Sequence, residues 1–460
     1  MAVTQRSQVE QKTRAQYENL GVPGMSVAVV DGTETVFAGG FGDRQLDPAA
    51  PASAGTLYGI GSATKPVTAT AVMSLVNSGA IALDDAVSSY VPYFGDAPGD
   101  PITVQELLSH TSGMPSDDVA TVLILEELGM ETDVSLDGWD SFQKHVGDSV
   151  DRRRLDGEHC LYYNSGYVVL SRLVEAVTDT PFAEFVAGAV FDPLGMDDAT
   201  FDVGVLSEGS RNVMTPYLER EDTMHAASLP DSPLFVAPGG LQAPVTDLSR
   251  FLSACLTGDL PVEDTLAARM YEPVGTHKRL VDGTERGYGY GWMTRQFGDD
   301  LLVGHAGGTG VSAGYLGFLN ERGLCVAIGC NAQPSTSPEE IAIELLSTLT
   351  DTDPGDVLPE RAIQRKVGRV TGEYESYRGI QTATVRWTGD ALEIEHRNPM
   401  GGDSLQVSPV SLDPTDYRFR AVEGDGAEIT VEFSVDDGLE FLIDRVLFQR
   451  VGDLESNTEG

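Results

Sequence analysis

Apolar positions follow two regimes along this chain. Up to about residue 350 they recur at helical spacing in some stretches and form short continuous runs in others. Residues 4–20 read as a helix with Val9, Tyr17 and Leu20 on one side, stopped by Gly21 and Pro23. Met25–Val30 and Thr35–Gly39 read as strands joined at Asp31-Gly32, a strong hairpin signal. Val67, Ala69, Ala71, Val72, Leu75 and Val76 then predict a helix ending at Gly79, and Gly166–Val177 and Asp247–Leu256 predict two more. Between them, Val104–Leu108 leads into a turn-rich His110-Thr111-Ser112-Gly113-Met114-Pro115. Residues 116–158 are acidic and weakly periodic, and read as a helical insertion that could cover a site. Residues 202–235 look loop-rich. Tyr288–Met293, Leu301–Gly304, Gly314–Leu319 and Leu324–Cys330 read as successive strands, and Ser337–Leu349 as a closing helix. Strands at both ends with helices between predict an α+β fold, one antiparallel sheet built from both ends of this region.

A polar stretch, Asp351–Asp356, separates this region from the rest. Beyond it, Gly372–Tyr377, Thr382–Trp387, Ala391–His396, Tyr417–Ala421, Glu428–Phe433 and Glu440–Phe448 alternate apolar and polar positions between glycine turns. The expectation is a small all-β module, a barrel or sandwich, giving two domains at 1–352 and 353–460.

Composition changes the picture in one respect. Asp and Glu total 71 against 30 Lys and Arg, a net charge of −41, and only five residues are lysine (Lys12, Lys65, Lys144, Lys278, Lys366). The acid excess runs along the whole chain. At molar salt the Debye length shrinks to about 3 Å, so such self-repulsion is screened there. The composition therefore predicts a protein of the high-salt cytoplasm of a halophile, and it disfavours nucleic acid and anionic membranes as partners. The first residues lack the apolar core of a secretory signal, and no apolar run nears the ~18 residues of a membrane span. Cys325 and Cys330 lie five apart in one strand-like run, on opposite faces roughly 16 Å apart, so free thiols are expected there.

The stretch Gly59-Ile60-Gly61-Ser62-Ala63-Thr64-Lys65-Pro66 carries the first candidate chemistry. Residues i and i+3 share a helix face, so the Lys65 amine can reach the Ser62 hydroxyl. A serine at a helix start also has free N–H groups beside it, which suit a developing oxyanion. A partly desolvated lysine can lose its charge and serve as base towards that serine. On its own the pair also fits a serine cap followed by a surface lysine.

Further motifs follow in order: Tyr162-Tyr163-Asn164, Pro193-Leu194-Gly195-Met196, Gly239-Gly240-Leu241, and Gly304-His305-Ala306-Gly307-Gly308. With the serine–lysine pair and His110–Pro115, the chain over roughly residues 15–350 resembles the penicillin-recognising serine hydrolases. The resemblance is to the branch of class C β-lactamases, D-alanyl-D-alanine carboxypeptidases, D-aminopeptidases and esterases. It implies a β-lactamase/transpeptidase-like sheet flanked by helices, and a serine hydrolase acting through an acyl-enzyme on small amides, peptides or esters. By that resemblance Ser62 is the nucleophile, and Lys65 and Tyr162 share the proton work, the phenol's pKa lowered by the nearby ammonium. Asn164 would hold the Lys65 ammonium and the substrate carbonyl. The backbone N–H groups of Ser62 and Gly308, with Gly307 beside them, would form the oxyanion hole.

His305 stands where the β-lactamases carry lysine, and a histidine offers a cation only when protonated. That shifts the expectation from β-lactams and carboxy-terminal peptides towards esters, amides or D-amino-acid substrates, with His305 orienting substrate and supporting the Tyr162 hydroxyl. His110 reads as a structural turn residue. His145, His159, His225, His277 and His396 lack metal-ligand spacing, so no metal and no cofactor is expected. The C-terminal module resembles the lipocalin-like β domain appended to some of these hydrolases; such modules shape a site entrance or mediate assembly, which leaves a homo-oligomer open. The competing reading is a non-catalytic scaffold on the same fold that assembles or binds ligands through the β module; retention of Ser62, Lys65, Tyr162 and Asn164 together argues for the enzyme.

Overall fold

A computed structural model describes residues 2–454 apart from 117, 156–159, 208–210, 282, 390, 423, 425, 436–438 and 444, with side chains undescribed at 2–4 and 206–207. The Asp31-Gly32 turn joins β1 (Gly24–Asp31) to β2 (Glu34–Leu46), and β3 (Ala49–Pro51) extends that edge. Six later strands complete the sheet: β4 (Gly275–Arg279), β5 (Glu285–Tyr288), β6 (Met293–Phe297), β7 (Asp300–Gly308), β8 (Ala313–Leu319) and β9 (Leu324–Cys330). Their order is β3-β2-β1-β9-β8-β7-β6-β5-β4. β1 pairs antiparallel with β9, Met25 opposite Cys330, so early and late strands meet mid-sheet as the pattern predicted. Every position of β8 and β9 is buried, because helices cover both faces. All four cysteines are free.

The helices that matter here are α1 (Ala2–Tyr17), α2 (Lys65–Asn77), α3 (Val104–Leu108), α4 (Val119–Glu127), α5 (Trp139–Gly147), α6 (Asn164–Thr178), α7 (Val245–Thr257) and α8 (Pro338–Thr350). α2 is buried almost throughout, its polar Lys65, Thr68 and Thr70 included, which makes it a central core helix. Its Pro66 sits in the first turn, where a missing N–H costs no helical bond. α4 and α5 confirm a helical character for the insertion; its residues 117 and 156–158 lie outside the described residues, as does His159. Ile124 of α4 lies next to Gly310, in the turn that follows β7.

One predicted strand is wrong. Tyr288–Met293 is not one strand: Tyr288 ends β5, Met293 begins β6, and residues 289–292 turn between them. Gly291 adopts φ +79° there, and a Cβ at that position would stand 2.7 Å from Ala69 Cβ and 2.8 Å from the Lys65 carbonyl oxygen. The turn thus lies directly on α2, which a continuous strand could not do. Trp292 completes it, stacked on Phe251 and edge-on to Tyr271 and Phe318. Within the loop-rich 202–235, Tyr217–Arg220 and Thr223–Ala226 form a small hairpin.

The chain divides into two units, Met1–Lys278 with Glu285–Thr352 and Arg279–Thr284 with Asp353–Gly460. The second contains α9 (Pro359–Val370), after a single turn of helix at Pro354–Val357; the sequence pattern missed α9 because its apolar face, Ala362, Ile363, Val367 and Val370, is scattered among charged residues. Eight strands then close into a barrel: β10 (Gly372–Ser376), β11 (Thr382–Trp387), β12 (Leu392–Asn398), β13 (Gly401–Pro409), β14 (Arg418–Val422), β15 (Glu428–Ser434), β16 (Glu440–Ile443) and β17 (Val446–Gly452). β10 pairs with β17, Tyr374 opposite Arg450, and leaves no open edge. The predicted Glu440–Phe448 strand is two strands, with residue 444 between them outside the described residues. Tyr374, Phe419, Phe433, Phe441 and Phe448 fill the interior. No helix among the described residues is long and apolar enough to cross a membrane.

Candidate active site

Ser62 lies in a tight 3₁₀ turn, Gly61–Thr64, that feeds directly into α2. Two neighbours fix the turn. Thr64 Oγ1 donates to the Gly61 carbonyl (2.7 Å) and accepts from Leu241 N–H (3.1 Å), while Ile60 N–H donates to the Leu241 carbonyl (3.1 Å). On the other side β7 comes against it, backbone to backbone. A Cβ on Gly307 would fall 2.1 Å from the Ile60 oxygen and 2.5 Å from the Ser62 nitrogen, and one on Gly61 would fall 2.6 Å from the Gly308 nitrogen. Only glycine permits this approach, and it brings the Gly308 amide to the serine turn. Ser62 keeps partial solvent access while Ala63, Thr64 and Lys65 are buried.

Lys65 Nζ stands 3.0 Å from Ser62 Oγ and donates to the Pro238 carbonyl at 2.8 Å. It also lies over the faces of Tyr162 (4.8 Å) and Tyr167 (5.3 Å). Among the described residues no carboxylate is within ion-pair distance of it. Burial therefore acts unopposed and lowers its pKa well below the ordinary lysine value. A neutral amine can accept the Ser62 proton on its lone pair while still donating to Pro238.

Tyr162 shifts the other way. Burial raises its phenol above the ordinary value, the Ser62 hydroxyl pulls against that, and the Cys160 thiol adds to it. No partner among the described residues meets hydrogen-bond geometry with its oxygen, although Ser62 is close enough to act on it. The expectation of a phenol acidified by an ammonium is thus reversed: lysine is pushed towards neutral and tyrosine stays protonated. Asn164, the first residue of α6, holds its Oδ1 buried with no partner among the described residues, so the expected Asn164–Lys65 bond is not made and Lys65 donates to the Pro238 carbonyl.

His305 is buried, with Nδ1 2.6 Å from the Ala306 carbonyl and Nε2 3.0 Å from Tyr288 Oη. The carbonyl can only accept, so Nδ1 carries the hydrogen and Nε2 accepts from the tyrosine. Burial, then the Lys65 charge, pushes its pKa down to about 3, the Ala306 bond opposing and His277 adding. Neutral His305 offers no cation, and its free nitrogen goes to Tyr288 in place of Tyr162, whose ring centre is 6.2 Å away. His110 does occupy a turn, with φ +59°, but its buried ring packs against Tyr162, Tyr167 and Tyr288. Two participants went unread in the sequence. Pro238 acts through a backbone carbonyl, which no motif can mark. Tyr288 opens an alternating glycine–aromatic run, Tyr288-Gly289-Tyr290-Gly291-Trp292, and that run was the available signal.

A helix-flanked antiparallel sheet with a serine–lysine pair at the start of its central helix, facing a glycine-bearing strand, defines the class of penicillin-binding and β-lactamase-like proteins. The chain belongs to the beta-lactamase family, whose model matches residues 9–349. Residues 354–449 match the model of the Pab87 octamerisation domain. The chain is 28% identical to the octameric penicillin-binding protein homologue from Pyrococcus abyssi, with a TM-score of 0.81 over 97% of this chain and 99% of that one. It is 24% identical over 438 residues to penicillin-binding protein 4* of Bacillus subtilis (strain 168), covering 89% of this chain and 90% of that protein. It also shares its fold with a D-stereospecific amidohydrolase from Streptomyces sp. (TM-score 0.60, 24% identity, 76% of this chain and 99% of that one).

Proposed function

We propose that the protein is a serine hydrolase that forms an acyl-enzyme on Ser62 with small amide, ester or peptide substrates. One observation carries the reading: the Lys65 amine, buried with no counter-ion among the described residues, lies 3.0 Å from the Ser62 hydroxyl. Ser62 Oγ attacks the substrate carbonyl and its proton passes to neutral Lys65. The N–H groups of Ser62 and Gly308 hold the oxyanion. As the intermediate collapses, Tyr162 protonates the departing amine or alcohol and is reprotonated from Lys65; water then releases the acyl group by the same route in reverse. β7 pairs with β6 only as far as Gly304, so residues 305–308 have an open strand edge along which an extended substrate can lie. With His305 neutral, the strand supplies no permanent cation for a substrate carboxylate at that position. This supports esters, amides or D-amino-acid derivatives over β-lactams. The octamerisation-domain match and the octameric Pyrococcus homologue support assembly through residues 353–460 into a homo-oligomer.

The test is intact-protein mass in multimolar KCl after exposure to a fluorophosphonate and, separately, to a penicillin. We expect a single fluorophosphonate adduct on wild type, none on Ser62→Ala, and weaker labelling by penicillin. Absence of any adduct on folded protein overturns the proposal.

A further inference from the structure

We propose that His110 is a positioning residue for Tyr162, acting as a two-point clamp on the backbone either side of that tyrosine. The proposal rests on the hydrolase reading above, in which the Tyr162 hydroxyl must stay between Lys65 and the leaving group. Leu161 N–H donates to the His110 carbonyl at 2.9 Å, and Tyr163 N–H donates to His110 Nδ1 at 3.0 Å. Residue 162 is therefore strung between two anchors on one residue. The His110 ring then lies against the Tyr162 ring, centres 4.3 Å apart, and is itself held by Tyr288 at 4.7 Å and Tyr167 at 5.2 Å. Tyr162 precedes α6, and among the described residues no group meets hydrogen-bond geometry with its hydroxyl, so its aim rests on its backbone and on its ring contacts, of which the His110 ring at 4.3 Å is nearer than Tyr288 at 6.1 Å or His305 at 6.2 Å.

The backbone of His110 makes the same point. At φ +59° it occupies the left-handed region, which few residues other than glycine adopt and which asparagine, aspartate and histidine enter more often than the rest. A turn that only reversed the chain would be eased by glycine; a side-chain acceptor at this point is what glycine could not supply. An Nδ1 that accepts from an amide carries no hydrogen, so the neutral ring keeps its proton on Nε2, which is buried without a partner among the described residues. Protonation would put a hydrogen on Nδ1 facing the Tyr163 N–H and open the clamp. Burial first, then Lys65, His305 and His277, oppose that protonation.

Two variants separate clamp from bulk. His110→Asn keeps an acceptor near the Nδ1 position and tolerates a left-handed backbone; His110→Phe keeps a ring and loses the acceptor. With a chromogenic ester and the fluorophosphonate, we expect His110→Asn to stay within about threefold of wild type. His110→Phe should lose about 30-fold in kcat, with KM within about twofold. In ¹⁵N-histidine spectra of the full chain, His110 should show the Nε2–H tautomer, and the Tyr163 amide should exchange slowly in wild type and His110→Asn but fast in His110→Phe. Equal rates for wild type and His110→Phe, equal losses in both variants, or an Nδ1–H tautomer overturns the clamp. Should His110→Phe lack a cooperative thermal transition, His110→Asn and the tautomer decide. If wild-type Ser62 takes no label, the hydrolase reading falls by itself, and tautomer and exchange still test the clamp.

Discussion

Lys65 differs from an ordinary lysine because its surroundings supply hydrogen-bond partners but, among the described residues, no counter-charge. The sign of the pH dependence follows. A lowered amine pKa means the base form appears at lower pH than usual, so Ser62 reactivity rises with pH through that value and is level above it. Burial raises the Tyr162 phenol above its ordinary value and pushes His305 down to about 3, so neither adds a limb near neutral pH. Fluorophosphonate labelling followed as pH rises should therefore give one ascending limb, complete below the pH at which an ordinary lysine loses its proton. Lys65→Arg cannot supply a neutral base, because a guanidinium stays charged, and should lose about 10²–10⁴ in labelling rate. His305→Gln should leave the limb in place. A limb near the ordinary imidazole value that disappears in His305→Gln would mean the ring titrates in range after all.

At the scale of elements the site is a contact between a helix start and a strand, and glycine sets their separation. Gly307→Ala would drive a Cβ into the Ile60 carbonyl and the Ser62 amide, both backbone atoms of a turn already fixed by Thr64 and Leu241. We expect a loss of about 1–3 kcal/mol in stability by denaturant titration and about 100-fold in labelling rate. Gly368→Ala, inside α9 with open space around its Cα, should instead stabilise by about 0.5–1 kcal/mol. If both substitutions behaved alike, close approach at Gly307 would not be what demands glycine there. The same contrast explains what was legible beforehand. Ser62, Lys65, Tyr162, Asn164, His305 and Gly308 fall in spaced motifs because a side chain, or its absence, has to stand at that position. The partner of Lys65 was not legible, since a carbonyl is present at every residue. Nor was the break at Gly291, where the reason for a turn lies on α2 more than two hundred positions earlier. In the barrel, β13 escaped because it opens on Gly401-Gly402 and buries few side chains, so its alternation is faint.

For the whole molecule the governing quantity is charge. Each chain carries −41, and assembly through the barrel would multiply that charge within one particle. Exposed ion pairs such as Arg365–Asp353, Arg397–Glu395 and Arg418–Asp416 use up basic groups without altering that total. Raising salt from about 0.1 M to about 1 M shortens the Debye length from about 10 Å to about 3 Å, so repulsion within and between chains should fall steeply. Melting temperature and light-scattering mass should therefore rise together as KCl increases. Sucrose at matched osmolality offers the control, because it favours the compact state by exclusion from the surface and screens nothing. A KCl effect well beyond that of sucrose would assign the gain to screened charge. Equal effects would mean that the acidic surface exerts no net strain on this fold, and that the excess of carboxylates serves solubility alone.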